Sequence, residues 1–412
     1  MSDDVKTQDR NDEAVPHSVA PPDVSLGALA RLAGPIFVAN LAIMGSATID
    51  TIMAGNLGRE HLAVVALGGA TCVMVLFGLV GILMGLSPIV GHHYGARNYK
   101  AIGFELTQNL WLAVLLGFIG WGLLLQTDFW TRLGGVSGEV ARMTSLFLVL
   151  TAPGIFAAIV SRSFIALNSA VNRPRVTMYV SLLMLAFKAP LNGVFMYGWL
   201  GFPALGGAGA GLSLAVNAWL SLACYILVYK KDGFYDKMRA ERFYLPRLKA
   251  LASQLKLGVP IGLSIFFEVS SFTLMAIFIS RLGTTEVSAH QIVGNITATL
   301  YQIPLSIAIA VCVMVSQCLG AGSAHHARLI AVKGLKTALA IAACSVAFMY
   351  FGRDMLLGFY SKETAVTSLA ASLLVFGMIY HITDAAQTVS NFVLRAYRVT
   401  VVPMLIYGVM LW

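Results

Sequence analysis

The chain has 412 residues, of which 58% are hydrophobic and only 11% charged, with a mean hydropathy of +0.78 and a net charge of +9. A water-soluble domain carries roughly 25% charged residues, so this scarcity excludes a soluble globular fold. Apolar runs recur along nearly the whole length, which gives an all-α polytopic membrane protein, and the short alternating segments of a membrane β-barrel are missing.

Residues 1–25 are polar, acidic and proline-containing, without the apolar core and small-residue cleavage site of a signal peptide, and are expected to form a disordered cytoplasmic tail. Apolar runs long enough to span a bilayer then fall near 28–54, 64–94, 104–126, 140–166, 176–199 and 208–229. Four more fall near 258–281, 286–318, 329–351 and 366–393, and an eleventh begins near Val401. The expected organisation is an N-terminal bundle over 26–229, a basic cytoplasmic linker over 230–257 and a C-terminal bundle over 258–412. All five cysteines sit inside apolar runs without a CxxC pair, so they are expected to be small buried residues.

Lys and Arg set the orientation. With the N-terminus inside and the spans alternating, twenty-one of the 28 fall in inside segments, including Arg162 and Arg395, and six fall outside. Lys188 lies within a span. This asymmetry accounts for the positive charge without nucleic acid, since no basic stripe is interleaved with aromatics.

One constant shift, the one that carries Pro35 onto Pro260, superposes the first two spans on the seventh and eighth without a gap. Under it Thr48 meets Thr273, Gly58 meets Gly283, Gly69 meets Gly294 and Gly95-Ala96 meets Gly320-Ala321. Six spans separate the two copies, an even number, so the halves share one orientation about an axis along the membrane normal. Parallel repeats of this kind build transporters, with the binding site between them near the midplane.

Three acidic residues lie well inside spans: Asp50, Glu268 and Asp384. A charge there costs roughly 2.5–3.5 kcal/mol at the helix centre, so each acid must be protonated, bind a cation or face a watery cavity. At about 1.5 Å per residue, Glu268 and Asp384 share one level, and Asp50 sits about 10 Å further out on nearly the same face of its repeat. Tyr380, Asp384, Gln387 and Asn391 form a stripe along span ten. Span eight adds His290, Gln291, Asn295, Tyr301 and Gln302. Oxygen ligands suit sodium, and a lone carboxylate suits a proton. His381 is expected to be a neutral, hydrogen-bonded histidine.

At these residues the chain resembles the multidrug and toxic compound extrusion (MATE) family, in its NorM-like bacterial branch. The pieces that carry the resemblance are "ATIDTIMAGNLG", "SPIVGHHYGA", "APLNGVFMYG", "FFEV", "SAHQIVGN" and "DAAQTVSNFVLRAY". The resemblance implies two bundles of six helices in a V, opening alternately to each side. It implies efflux of organic cations across the bacterial cytoplasmic membrane, driven by inward flow of sodium or protons and needing no cofactor. Glu268 and Asp384 match the cation-site acids of the second lobe and would hold the sodium, if sodium is the ion. Tyr380 matches a tyrosine associated with that site, Asp50 the first-lobe aspartate implicated in coupling, and Asn192 the asparagine of the span-five motif. Gln291, Asn295, Gln387 and Tyr301 are expected as substrate-binding or supporting polar groups.

The chain departs from the family pattern twice. Lys188 stands where the family often has asparagine, one turn before Asn192. A mid-membrane lysine needs a partner. Lys188 lies about five residues below Asp50 and its stem can reach upward, so an ion pair with Asp50 is expected in place of a first-lobe cation site. The family has twelve spans, whereas here the eleventh run is open at Trp412, so the second bundle is expected to be incomplete. The alternatives are a lipid-linked oligosaccharide flippase, disfavoured with three acids and one lysine as the intramembrane charges, and an inactive fragment or accessory subunit. An enzyme is disfavoured because no HExxH, GxGD or nucleophile–base pattern occurs. The expected partners are small organic cations or drugs and membrane lipids, with no nucleic acid, and the chain is expected to act as a monomer.

Overall fold

The computed structural model describes residues 23–240 and 244–411. The expected tail over 1–25 therefore lies almost wholly outside the described residues. Fourteen α-helices and no strand occur among the described residues. In chain order they are α1 (Leu26–Leu57), α2 (Arg59–Leu83), α3 (Leu86–Gly95), α4 (Tyr99–Leu124), α5 (Thr127–Leu133), α6 (Gly138–Ala170) and α7 (Pro174–Tyr197). There follow α8 (Gly209–Lys231), α9 (Leu248–Ser280), α10 (Thr284–Gly320), α11 (Ala324–Phe351), α12 (Arg353–Tyr360), α13 (Thr364–Ala396) and α14 (Val401–Leu411). Ten helical segments are long and apolar enough to cross a membrane, α2 and α3 together making one of them.

Local signals explain the helix ends. Ser25 caps α1 by accepting from the Ala28 amide at 3.1 Å, and Asn98 caps α4 by accepting from Ala101 at 3.3 Å. Proline at the first position of α7 costs no hydrogen bond there. The basic segment after α8 differs from the expected linker, because its last ten residues, from Leu248, are already helical. Gln254 explains this. It accepts from Asn109 Nδ2 at 3.0 Å and donates to the Glu105 carboxylate at 2.7 Å, so this polar stretch packs on α4 rather than crossing water.

The repeat is written in the backbone. Positive φ occurs at Gly58 (127°) and Gly283 (149°), at Arg97 (55°) and Gly322 (76°), and at Asn172 and Arg398 (both 61°). The first two pairs are related by the shift that carries Pro35 onto Pro260, and the third departs from it by a single position. Equivalent turns therefore close equivalent helices in both halves.

The two halves meet through small residues. A Cβ on Gly95 would run into the backbone of Gln317, and one on Gly320 would run into the backbone of His92. These contacts are equivalent under the same shift and mark where the pseudo-two-fold axis passes. Gly81 lies against Gly262, and Gly258 against the Ile82 carbonyl. Leu29, Leu32, Ala33 and Ile36 of α1 share a core with residues 307–318 of α10. All of these contacts lie toward the end that carries the N-terminus and the turns at 96–98 and 321–323, here called the basic end.

Gly258→Ala is therefore expected to cost about 1–3 kcal/mol by overpacking. Gly294→Ala, with no atom within 4 Å of its added methyl group, is expected to be neutral or slightly stabilising. Thermal unfolding of the two variants in detergent checks the contrast.

Candidate functional site

The first lobe buries one acid with its own counter-charge. Asp50 sits about two turns before the C-terminal end of α1, 6% exposed. Lys188 of α7, with no exposed surface, places Nζ 2.9 Å from Asp50 Oδ1. One turn on, Asn192 Nδ2 donates to the same oxygen at 2.7 Å, and Lys188 Nζ also donates to Ser213 Oγ of α8 at 3.4 Å. The ion pair expected from depth is present, and it ties three helices together. Asn192 Oδ1 is buried without a donor.

The second lobe is built differently. Asp384 of α13 is 4% exposed, and Glu268 of α9 is half-buried close enough to interact with it electrostatically. Neither carboxylate has a Lys, Arg or His within ion-pair distance among the described residues. Tyr380, one turn before Asp384, interacts with its carboxylate and packs edge-on against Phe272, with ring centroids 5.9 Å apart. Tyr301 of α10 faces both acids and accepts from Thr388 Oγ1 at 3.4 Å. The result is an oxygen-rich pocket carrying two acids, with Arg395 near enough to act on Glu268 electrostatically but not to pair with it, which is the donor chemistry of a sodium or proton site.

One family model, MatE, matches the chain twice, over residues 35–194 and 260–411. The two matches begin at Pro35 and Pro260, a pair related by the shift found in the sequence and again in the turns. The chain belongs to the MatE family. A "Probable multidrug resistance protein NorM" of Aromatoleum aromaticum is 38% identical over 388 residues, covering 94% of this chain and 84% of the relative. The "Multidrug resistance protein NorM" of Aliivibrio fischeri is 34% identical over 378 residues, covering 90% and 81%. Among solved structures, an outward-facing multidrug resistance MATE family transporter superposes with a TM-score of 0.82 at 18% identity, over 92% of this chain and 84% of that one. The eukaryotic MATE transporter AtDTX14 gives 0.82 at 21% identity, over 91% and 83%.

Within this MatE fold, not every expected polar residue reaches the acids. Gln291 and Asn295 are exposed, and Asn295 Oδ1 accepts from Tyr360 of α12 at 2.8 Å. Gln387 turns toward α14, donating to Tyr407 Oη at 2.6 Å, where Asn391 also donates at 3.3 Å. His381 is buried, but its Nε2 has no partner among the described residues, which corrects the expected hydrogen-bonded histidine at that atom.

The structure also adds residues. Tyr407 acts electrostatically on the Glu268 side of the pocket. Arg162 and Arg395, counted above among inside-segment charges, belong to α6 and α13 and line a cavity between the lobes. The intramembrane charges are thus three acids, one lysine and two arginines, and the count that disfavours a flippase is short by two cations. Their positions in the helical runs "SRSFIAL" and "FVLRAY" were the available signal.

Proposed function

We propose that this chain is a multidrug efflux antiporter that exports organic cations across the bacterial cytoplasmic membrane in exchange for inward-moving sodium or protons. The single observation that carries this reading is the contrast between lobes: the first-lobe acid is paired with Lys188 at 2.9 Å, whereas neither Glu268 nor Asp384 has a Lys, Arg or His within ion-pair distance among the described residues. Two unpaired carboxylates in a low-dielectric site are stabilised by any cation that enters, whether the driving ion or a cationic drug. The two cations then compete for one site, and each favours a different facing state, which is what antiport requires. The names of the NorM relatives, multidrug resistance proteins, support drug export.

With the basic end cytoplasmic, as the Lys and Arg asymmetry supports, the lobes touch on the inner side and the cleft faces outward. In this reading the Gly95–Gln317 and Gly320–His92 contacts separate when the transporter turns inward. The chain acts as a monomer, each copy holding both lobes, in contact with membrane lipids.

Ethidium efflux from cells expressing the chain tests the reading. Efflux is expected to follow an inward sodium or proton gradient and to stop when that gradient is collapsed. Efflux indifferent to both gradients, or none, contradicts it.

A further inference from the structure

A cavity of about 840 Å³ opens at the basic end, where the starts of α1 and α7 meet the end of α8. Arg31, Arg173 and Arg175 line it together with Asp23 and Asp232, which leaves one positive charge in excess. Lys333 of α11 adds another beside it, donating to the Val24 carbonyl at 3.1 Å. The three arginines are held differently. Arg173 is paired with Asp232 and stacks on Phe234, 4.5 Å from the ring centre, so it is committed to local structure. Arg31 meets Asp23 at 3.2 Å, but the two side chains are 67% and 57% exposed, and a surface pair of this kind contributes little. Arg175 is exposed and has no carboxylate within ion-pair distance among the described residues. Two guanidinium groups are therefore available to an incoming anion, and their planar forks suit a phosphate.

The side on which the cavity opens identifies the ligand. Tyr179, which also lines it, stands one turn beyond Arg175 on α7 and is 63% exposed. With Leu183 and Phe187 it forms an exposed stripe, on the side of α7 away from the buried Thr177, Met184 and Lys188. On a membrane-spanning helix an exposed apolar stripe meets lipid. Arginine at the start of the span and tyrosine one turn deeper is the arrangement of a membrane–water boundary.

We propose that this cavity binds the headgroup of an anionic phospholipid of the inner leaflet, its phosphate on Arg31 and Arg175 and its acyl chains along Tyr179 and Leu183. Basic pockets between helices at a cytoplasmic boundary suit such headgroups. Any phosphate ester suits the two arginines, and the stripe that continues from the cavity selects a lipid over a soluble one. At the back of the cavity Asn172 of the first lobe and Gln317 of the second exchange amide hydrogen bonds at 3.2 and 2.9 Å. A headgroup seated there touches both lobes at the end where they meet. The choice of leaflet rests on the reading of the basic end as cytoplasmic.

Native mass spectrometry of the purified protein in detergent tests this, with dioleoylphosphatidylglycerol or dioleoylphosphatidylcholine added. Wild type is expected to hold phosphatidylglycerol about tenfold or more tightly than phosphatidylcholine. Arg31→Gln and Arg175→Gln are each expected to weaken phosphatidylglycerol about fivefold, the worth of one arginine at an anionic lipid surface, and to leave phosphatidylcholine unchanged. Arg175→Lys is expected to keep most of the preference. Arg281→Gln, an exposed arginine at the other end of α9, is expected to keep all of it. Glycerol 3-phosphate carries the same phosphate chemistry without chains and, followed by calorimetry, is expected not to bind measurably. No preference in wild type, a preference that survives Arg31→Gln/Arg175→Gln, or an equal loss in Arg281→Gln overturns the site. Glycerol 3-phosphate bound as tightly as the lipid overturns the choice of a lipid. Binding in micelles does not depend on orientation. Labelling of Ala324→Cys from outside intact cells, with the lipid preference intact, would therefore overturn the choice of leaflet and the reading it rests on, and not the site.

Discussion

Lys188→Met is expected to destabilise the protein by about 3–5 kcal/mol, because it leaves the Asp50 carboxylate buried without a counter-charge. Methionine nearly matches the volume of the lysine stem, so packing is conserved and the loss is electrostatic. Asp50→Asn alone is expected to be damaging for the mirror-image reason, leaving a fully buried ammonium with the Ser213 hydroxyl as its acceptor at 3.4 Å and no counter-charge. Removing both charges in Lys188→Met/Asp50→Asn is expected to restore most of the stability, since a buried pair replaced as a whole is often neutral. Thermal unfolding of the four proteins forms a double-mutant cycle. The pair is expected to show a coupling of about 2–3 kcal/mol. Additive single-variant effects would show that the pair contributes nothing to holding α1 against α7. For transport, Lys188→Asn is expected to change the ion dependence of efflux by releasing Asp50. Efflux identical to wild type at every pH and sodium concentration would mean that Lys188 does not occupy a cation's place.

The second large effect has the opposite sign on stability. Asp384→Asn and Glu268→Gln each remove a carboxylate with no Lys, Arg or His within ion-pair distance among the described residues, so the folded protein is expected to be unchanged or more stable. Ion-coupled efflux is expected to fall on the order of 10- to 100-fold in each, in keeping with a coupling free energy of about 1–3 kcal/mol. A site that gives up stability for function shows this pattern, whereas a structural acid shows loss of both. Melting temperature and ethidium efflux measured on the same preparations separate the two cases. A fall in stability with efflux preserved would make these acids packing residues.

Much of this is readable from the chain. The fold class follows from the scarcity of charge, and the repeat from glycines and prolines in constant register, because those residues mark turns and close approaches that both halves need. The Lys188–Asp50 pair follows from counting depth along two helices, since a rise of about 1.5 Å per residue holds wherever a helix is regular. The failures have equally physical causes. Arg162 and Arg395 lie toward the basic ends of their helices, where positive-inside counting expects arginine, so their inward orientation carries no separate signal. Asn295 shares a helix with Tyr301, but its bond to Tyr360 of α12 depends on tertiary packing that periodicity along one helix does not carry. The sequence places the start of α9 ten residues late because Lys249 and Lys256 make an amphipathic helix look like a loop, while the partner that orders it, Asn109 against Gln254, is distant in sequence. Tyr407 carries no signal of its own, because its role depends on how α14 packs beside α13.

The measurement that bears most directly on the central claim is drug-dependent cation entry into proteoliposomes, comparing Asp50→Asn/Lys188→Asn with Glu268→Gln. If the first lobe supplies its own cation and the second lobe binds the driving ion, the double variant keeps drug-dependent sodium or proton entry and Glu268→Gln loses it. Entry that survives in Glu268→Gln and disappears in the double variant would contradict the account and place the coupling site in the first lobe.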